Sequence, residues 1–373
     1  MITAAPLPAW GDFPALFESA VPPDSALAAP WAEGAASAHL LARSTWSLAA
    51  LVQRCKAEGA PRPCLWLPDF FCNASSEPAR DAGAELVFYP VAETLAPDWA
   101  ACRVLAERAR PSLFILVHYF GRANDAEGAR AFCAENNAAL VEDAAHVLKP
   151  CAGIGRVGDF VLYSPHKLLG IPDGAVLVAR EADAALARTM MALPAAQPCA
   201  RAWVLKRALQ KAMPEAVWRT LRPIPEIPFE RDPPPAPLSP APSMSASARK
   251  MLAHAIPRLE AEAARRRAAE KILRRILADV LGWSPWPAAW GADEAPYRAV
   301  FIAETATLVA ERFARLRRAG CLAESWPDLA PEVTADPEKH RTAIDLRRRL
   351  LAFPLPVPDR AEAFARACIA ALV

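Results

Sequence analysis

Glycine is scarce in this sequence, which has 14 glycines against 38 prolines among its 373 residues. Because glycine tolerates left-handed backbone at little cost, we expect these few glycines to lie where the backbone needs them. Seven of them fall within residues 121–174, at positions 121, 128, 153, 155, 158, 170 and 174. Proline clusters elsewhere, with nine in Arg222–Ser243. That segment can be neither a regular helix nor a central strand.

Other absences exclude whole classes of protein. No uncharged apolar run reaches the roughly 18–20 residues of a membrane span. Met1–Trp10 has no basic residue ahead of an apolar run, so we expect no secretory signal and a cytoplasmic location. Lys and Arg total 43 against 41 Asp and Glu, which excludes a polybasic nucleic-acid binder. The nine cysteines have no metal-ligand spacing and predict neither a metal site nor a disulfide framework.

The composition that remains, 54% hydrophobic and 23% charged, is typical of a globular chain. Between about residues 38 and 180, short apolar runs alternate with segments of helical periodicity such as Thr45–Cys55 and Asp125–Glu135. This alternation predicts an α/β fold with a mostly parallel central sheet. The predicted strands are Cys64–Leu67, Glu85–Val91, Leu113–Phe120, Ala139–Glu142, Asp159–Tyr163 and Ala175–Ala179.

The pattern changes after residue 200 and predicts three parts: a large α/β domain with an N-terminal arm over 1–200, a connector or lid over 201–244, and a smaller C-terminal α+β domain over 245–373. Arg201–Arg222 is a basic helical stretch, which suits a lid or dimer contact better than a membrane surface. Ala246–Leu281 predicts a long helix with a kink at Pro257 and Arg265–Arg267 on a solvated face. A strand near Ala299–Ala303 and helices over Val309–Ala319, His340–Leu350 and Asp359–Leu372 complete the small domain.

Chemistry concentrates between Leu140 and Ala179. Asp143 follows one predicted strand and Lys167 follows the next, so both lie at the strand ends where ligands of parallel sheets bind. Either residue alone would as readily anchor a loop, but the pair suits pyridoxal phosphate. The lysine amine forms a Schiff base with the aldehyde, and the carboxylate keeps the pyridine nitrogen protonated.

These residues lie in a set of motifs that resembles the DegT/DnrJ/StrS family of sugar aminotransferases. Glu142-Asp143-Ala144-Ala145-His146 closely matches the family's Glu-Asp-Ala-Ala-(Gln/His) motif. Weaker likenesses are found in Arg43–Leu48 (the family's Ser-Gly-Thr-Ala-Ala-Leu), Leu67–Phe71, Val117–Asp125, Ser245–Leu277, Trp326-Pro327 and Leu351–Pro356. The resemblance implies a fold type I pyridoxal-phosphate enzyme.

The resemblance also implies roles, residue by residue. Lys167 would bind the cofactor covalently and move protons, and Asp143 would pair with the ring nitrogen. His146 would lie by the ring or its phenolic oxygen. The remaining cofactor-binding residues would be Ser44, Thr45 and Ser164 at the phosphate, and Phe70 or Phe71 stacked on the ring.

The chain departs from the family at several of these positions. Leu162 stands five residues before the lysine, where relatives place a phosphate-binding serine, and Ser44 replaces the glycine of the helix start. The proline-rich stretch within 190–243 replaces a short hairpin of the relatives. We therefore expect substrate choice to differ more than cofactor binding.

By family analogy, the expected reaction is amino transfer from an amino acid, glutamate first, to a keto group on a nucleotide-linked sugar, carried out by a homodimer. Two alternatives stay open. One is a pyridoxal-phosphate lyase, dehydratase or decarboxylase on the same fold, because Lys167 and Asp143 serve any carbanion chemistry. The other is a non-catalytic relative with a regulatory or scaffold role.

Overall fold

The computed structural model describes residues 2–194, 200–221, 227–229 and 241–373. Most of the proline-rich segment predicted as a connector lies outside the described residues. The strands are β1 Ser37–Leu41, β2 Cys64–Pro68, β3 Glu85–Tyr89, β4 Leu113–Val117, β5 Ala139–Ala144, β6 Phe160–Tyr163, β7 Ala175–Ala179, β8 Ser284–Trp286, β9 Ala299–Ile302 and β10 Leu350–Phe353.

The α-helices connect and cover these strands. They are α1 Asp24–Ala28, α2 Ser44–Ala57, α3 Asn73–Asp81, α4 Trp99–Ala106, α5 Ala126–Asn136, α6 Pro165–Leu168, α7 Ala184–Met191, α8 Arg201–Ala212, α9 Glu215–Leu221, α10 Ala246–Ala255, α11 Leu259–Leu281, α12 Val309–Arg318, α13 Pro331–Ala335, α14 Arg341–Arg349 and α15 Pro358–Leu372. In the described ranges, no helix combines the length and apolar composition needed to cross a membrane.

The larger sheet has seven strands in the order β1-β7-β6-β5-β4-β2-β3. Strands β6, β5, β4, β2 and β3 are parallel, whereas β7 runs antiparallel to β6 and β1 antiparallel to β7. Every residue of β4 and β7 is buried, as expected for strands covered on both faces. The predicted α/β fold with a mostly parallel sheet is confirmed, and all six strands predicted in this region are present.

A second, antiparallel sheet of three strands, in the order β10-β9-β8, organises the C-terminal part. Apolar residues of α11, α12 and α15 pack against it, and the core they form includes Leu273, Phe301, Phe313, Phe353 and Phe364. The smaller C-terminal α+β unit is therefore present. By contrast, α10 and the first turns of α11 pack with β6 and β7 in a different core.

The sequence patterns missed three strands and one helix break. β1 and β8 were not predicted, and β10 begins at Leu350, which was assigned to a helix that ends at Arg349. The basic stretch is two helices, because Pro214 interrupts it between α8 and α9. The kink at Pro257 is confirmed, since a short 3-10 turn over Ile256–Arg258 separates α10 from α11.

The solvated face predicted for Arg265–Arg267 is wrong at Arg266. This side chain is 2% exposed. It pairs with Glu262 on the same helix at 2.8 Å, and its Nη2 donates to the carbonyl oxygen of Leu168 at 2.8 Å. Burial is possible because a carboxylate and backbone oxygens satisfy the guanidinium. Arg266 thus connects α11 to the turn that carries Lys167.

Candidate active site

Asp143 and Lys167 line a single cavity of about 560 Å³, the central cavity, at the carboxyl edge of the large sheet. Neighbouring parallel strands bring them together, because β5 pairs with β6 in a register that sets Asp143 opposite Leu162. Lys167 follows β6 in the short helix α6. The central cavity is also lined by Arg43, Ser44, Thr45, Phe71, Cys72, Phe120, His146, Leu162, His166, Tyr297, Arg298, Ser325 and Trp326.

The Lys167 amine contacts a histidine. Its Nζ lies 3.3 Å from Nε2 of His146, whose Nδ1 accepts a hydrogen bond from the backbone N–H of Phe120 at 3.3 Å. Burial, with the charges of Lys167 and Arg298 nearby, lowers the pKa of His146 well below 6.5. A neutral ring that accepts at Nδ1 carries its proton on Nε2. The contact therefore orients the Lys167 amine against the ring of His146.

Asp143 is a buried carboxylate, 7% exposed. Its Oδ1 accepts a hydrogen bond from the backbone N–H of Ala145 at 2.9 Å. Burial raises the pKa of Asp143, and the charge of Lys167 acts in the opposite direction. A protonated ring nitrogen in the central cavity would stabilise this carboxylate further.

Glu142, one residue before Asp143, holds the loop that follows β5 and the side chain of His118. Its Oε1 accepts from the backbone N–H groups of Val157 and Gly158, at 2.9 and 2.6 Å, and its Oε2 accepts from Gly155 at 2.6 Å and lies 2.8 Å from Nε2 of His118. These donors lower the pKa of Glu142 to about 2, although burial opposes them. A side chain at Gly155, which has φ +73°, would collide with the hydroxyl of Tyr163. The loop after β5 thus needs both the carboxylate and the glycine.

Helix α2 begins at Ser44, as the motif predicted, and Ser44 and Thr45 line the central cavity. No side chain of the described ranges caps its N-terminus. Two buried hydroxyls, Oγ1 of Thr45 and Oγ of Ser164, have no hydrogen-bond partner among the residues that the structure describes. Ser164 is fully buried at the N-cap of α6 and, unlike Thr45, is not among the described residues that line the cavity. Unpaired buried hydroxyls are costly, so the position of Thr45 suits a bound polar group.

The two phenylalanines predicted to stack on the cofactor have different positions. Phe71 lines the central cavity. Phe70 packs behind it, stacked on Trp326 with ring centroids 4.5 Å apart, and its carbonyl oxygen accepts from the hydroxyl of Tyr119 at 2.8 Å. Of the two, only Phe71 is among the residues that line the cavity.

Residues of the C-terminal part also line the cavity, and Tyr297, Arg298 and Glu324 are among those that sequence reasoning missed. The ring of Tyr297 stacks on His146 at 4.3 Å with an interplanar angle of 9°. Arg298 is buried, lies against the Tyr297 ring, pairs with Glu324, and donates to the carbonyl oxygen of Ala4 at 2.8 Å. The signal available was weak: polar residues directly before the predicted strand at Ala299.

Gly121 allows this part to approach the large sheet. Its φ is +96°, and a Cβ there would lie 2.6 Å from the carbonyl oxygen of Ala295 and 3.0 Å from that of His146. The backbone N–H of Tyr297 donates to the carbonyl oxygen of Phe120 at 2.7 Å. Glycine thus lets the segment before β9 reach the loop after β4.

The strand order and the small C-terminal unit define a fold type I pyridoxal-phosphate enzyme. The chain belongs to the DegT/DnrJ/EryC1/StrS aminotransferase family, whose sequence model matches residues 66–323. It is therefore a pyridoxal-phosphate-dependent aminotransferase. A comparison with curated protein sequences gives no significant match.

Solved structures of other proteins share the fold at low sequence identity. PseC of Helicobacter pylori, an aminotransferase involved in the biosynthesis of pseudoaminic acid, superposes with a TM-score of 0.73 at 13% identity, covering 99% of this chain and 98% of that chain. The aminotransferase TlmJ of Streptoalloteichus hindustanus gives 0.70 at 18%, covering 100% and 99%. Spr1654 of Streptococcus pneumoniae, described as a sugar aminotransferase and solved in its PMP form, gives 0.70 at 15%, covering 100% and 99%.

The residues around the central cavity fit the family's cofactor. The unpartnered hydroxyl of Thr45 and the uncapped start of α2, in the described part of the chain, suit a phosphate group. The buried carboxylate of Asp143 suits a protonated ring nitrogen, and the Lys167 amine lines the same cavity. Leu162 does not contribute a polar group, so the phosphate side lacks the serine expected from the family.

Proposed function

We propose that this enzyme transfers an amino group from an amino acid, with glutamate as the donor, to a keto group of a nucleotide-linked sugar. The observation that carries the proposal is the placement of Lys167 and Asp143 on one cavity in a member of this aminotransferase family. The sugar is supported by the relatives, since one structural neighbour is described as a sugar aminotransferase and another acts in pseudoaminic acid biosynthesis.

We assign the cofactor contacts as follows. Lys167 would hold pyridoxal phosphate covalently, Asp143 would pair with its ring nitrogen, and Phe71 would pack on the ring. Phe70 would act only through Trp326, on which it stacks. Ser44, Thr45 and Ser164 would hold the phosphate. When bound, the cofactor supplies an electron sink for the carbanion formed at the substrate carbon.

The protein's own groups then move the protons. Lys167 Nζ would be the base that takes up the proton from the donor carbon and holds it during the transfer. Nε2 of His146 lies 3.3 Å from this amine and presents its N–H, which orients the lysine. The negative charge of Asp143 would favour the protonated form of a bound ring nitrogen.

The acceptor is expected to lie between the central cavity and the connector. Ile227, in a described part of that segment, lines the cavity and is in position to contact a substrate. We therefore assign acceptor choice to the predicted 201–244 segment. By analogy with the family, we also propose a cytoplasmic homodimer whose partner subunit completes the cavity, and the domain limits at 200 and 244 remain part of this proposal.

Absorbance of the purified protein tests the assignment. Bound cofactor should give visible absorbance that borohydride shifts, and glutamate should convert it to the pyridoxamine form. Lys167→Ala should abolish the borohydride-sensitive band and lower the rate by several orders of magnitude, whereas Lys339→Ala, which removes an exposed lysine, should change neither.

Each other outcome separates one alternative. If glutamate leaves the cofactor spectrum unchanged while the donor loses ammonia or carbon dioxide, the enzyme is a lyase, and the transaminase assignment fails. If the protein cannot be loaded with pyridoxal phosphate, it is a non-catalytic relative. If glutamate converts the cofactor but the enzyme does not turn over keto-sugar nucleotides, only the proposed identity of the amino acceptor is overturned.

A further inference from the structure

Arg43 lines the central cavity at the start of α2, and its charge has an unusual set of partners. Nη1 and Nη2 both donate to the carbonyl oxygen of Pro172 at 3.2 Å, and Nη1 also to that of Ala42 at 3.3 Å. Among the described residues, no carboxylate lies within ion-pair distance of this guanidinium. Burial lowers the pKa of Arg43, as expected for a cation without a direct counter-ion.

The nearest acidic residue is engaged elsewhere. Asp173 accepts from the backbone N–H of Ser245 at 2.9 Å and from its hydroxyl at 2.6 Å. Its charge offsets part of the burial of Arg43 at a distance. The remaining N–H donors of the guanidinium are thus available to a ligand in the cavity, while the Pro172 carbonyl holds the group in place.

The polar groups beside Arg43 at the start of α2 are also open to a ligand. Thr45 lines the same cavity, is 9% exposed, and its hydroxyl has no hydrogen-bond partner within the described ranges. In the same part of the chain, the N-terminus of α2 has no side-chain cap. The Arg43 cation, the Thr45 hydroxyl and the start of α2 together make a site for a multivalent anion. On the same cavity, Leu162 presents an apolar side chain where a hydroxyl would otherwise contribute.

We infer that Arg43 is a ligand of the cofactor's phosphate and supplies the polar interaction that Leu162 cannot make. A guanidinium presents a planar set of donors that matches phosphate oxygens and adds a full positive charge, which a serine hydroxyl does not. This inference rests on the cofactor alone and does not depend on the amino donor or acceptor. It also explains why a bulky cation is tolerated in a helix start that relatives build from small residues.

Paired titrations of apoprotein with pyridoxal phosphate and with pyridoxal, which lacks the phosphate, test the inference. Arg43→Gln should weaken binding of pyridoxal phosphate by about 10- to 100-fold, the usual effect of losing hydrogen bonds to a charged group. It should leave the affinity for pyridoxal within about twofold, because that ligand makes no phosphate contact. Arg62→Gln, at an exposed arginine, is the matched control and should change neither affinity.

Two further variants separate a ligand from a packing residue. Arg43→Lys keeps a cation without the planar donors, and its affinity should lie between those of wild type and Arg43→Gln. It serves for the same comparison where the glutamine variant does not fold. Adding Leu162→Ser to Arg43→Gln should restore part of the affinity for pyridoxal phosphate, because it supplies a hydroxyl.

The inference is overturned if Arg43→Gln lowers the affinities for pyridoxal phosphate and pyridoxal equally, which would indicate a structural role. It is also overturned if the substitution lowers neither affinity. If the double variant binds pyridoxal phosphate no more tightly than Arg43→Gln, Leu162 does not mark a missing phosphate ligand, and that half of the inference fails. None of these results bears on amino transfer, since conversion by glutamate is measured on the wild-type enzyme.

Discussion

Glu142 offers the sharpest test of how this active site is held together. Its carboxylate is fully buried and accepts from three backbone N–H groups and from His118. Because Nδ1 of His118 accepts from the backbone N–H of Asn124 at 3.1 Å, its Nε2 carries the proton donated to Glu142. Four hydrogen-bond donors thus point at one carboxylate, and they stabilise its ionised form in the folded protein.

The stabilisation follows from the pKa shift. The pKa of Glu142 falls from 4.5 to about 2 on folding, and at about 1.4 kcal/mol per unit this corresponds to roughly 3 kcal/mol. Since the folded-state pKa is lowered, this stabilisation is fully present above pH 4.5 and is lost as the pH falls towards 2.

Glu142→Gln removes the charge at nearly constant shape. The amide oxygen can still accept from Val157 and Gly158, but its NH₂ group then faces the N–H of Gly155. We expect a loss of about 3 kcal/mol in the free energy of unfolding at neutral pH. The loss should shrink below pH 4.5, leaving only the pH-independent cost of the misplaced NH₂ group.

Urea unfolding followed by tryptophan fluorescence at a series of pH values measures this. Wild type, Glu142→Gln and the exposed control Glu338→Gln are compared through midpoints at unchanged slope. The control should follow wild type at every pH. If wild type and Glu142→Gln lost stability in parallel on acidification, the charge of Glu142 would contribute nothing, and the reasoning would be refuted.

Two further predictions concern contacts between distant segments. Gly121→Ala should lower both the melting temperature and the affinity for pyridoxal phosphate, because its Cβ would lie 2.6 Å from the carbonyl oxygen of Ala295. The control is Gly34→Ala, at a glycine that also has a positive φ but lies in open space. Equal effects of the two substitutions would contradict the steric argument. Asp69→Asn should lower the free energy of unfolding by about 1–3 kcal/mol, because Asp69 and His340 are 1% and 3% exposed and pair at 2.9 Å. A double-mutant cycle with His340→Gln should show a coupling energy between the two residues, and additive effects would argue against the pair.

Much of the large sheet could be predicted because its pattern is local. Strand β7 has the predicted bounds, and β2, β5 and β6 differ by one or two residues at their ends. β4 ends at Val117, earlier than predicted, because the chain turns into a short 3-10 turn over Tyr119–Gly121. β1 was missed because Ser37–Leu41 is short and includes a histidine, and it becomes a strand through pairing with β7.

The sequence by itself determined the class of enzyme and the Asp143 and Lys167 pair, because strand-end motifs are read over a few consecutive residues. Only the tertiary structure decided what surrounds that pair. Tyr297 on His146, Glu324 on Arg298, and Arg266 at the turn of Lys167 each join segments separated by many residues. Such contacts depend on how the C-terminal part packs on the sheet, which no local periodicity encodes. The partner of Arg43 was likewise decided by the tertiary structure, because the carbonyl oxygen of Pro172, which accepts from its guanidinium, lies in a loop distant in sequence from α2.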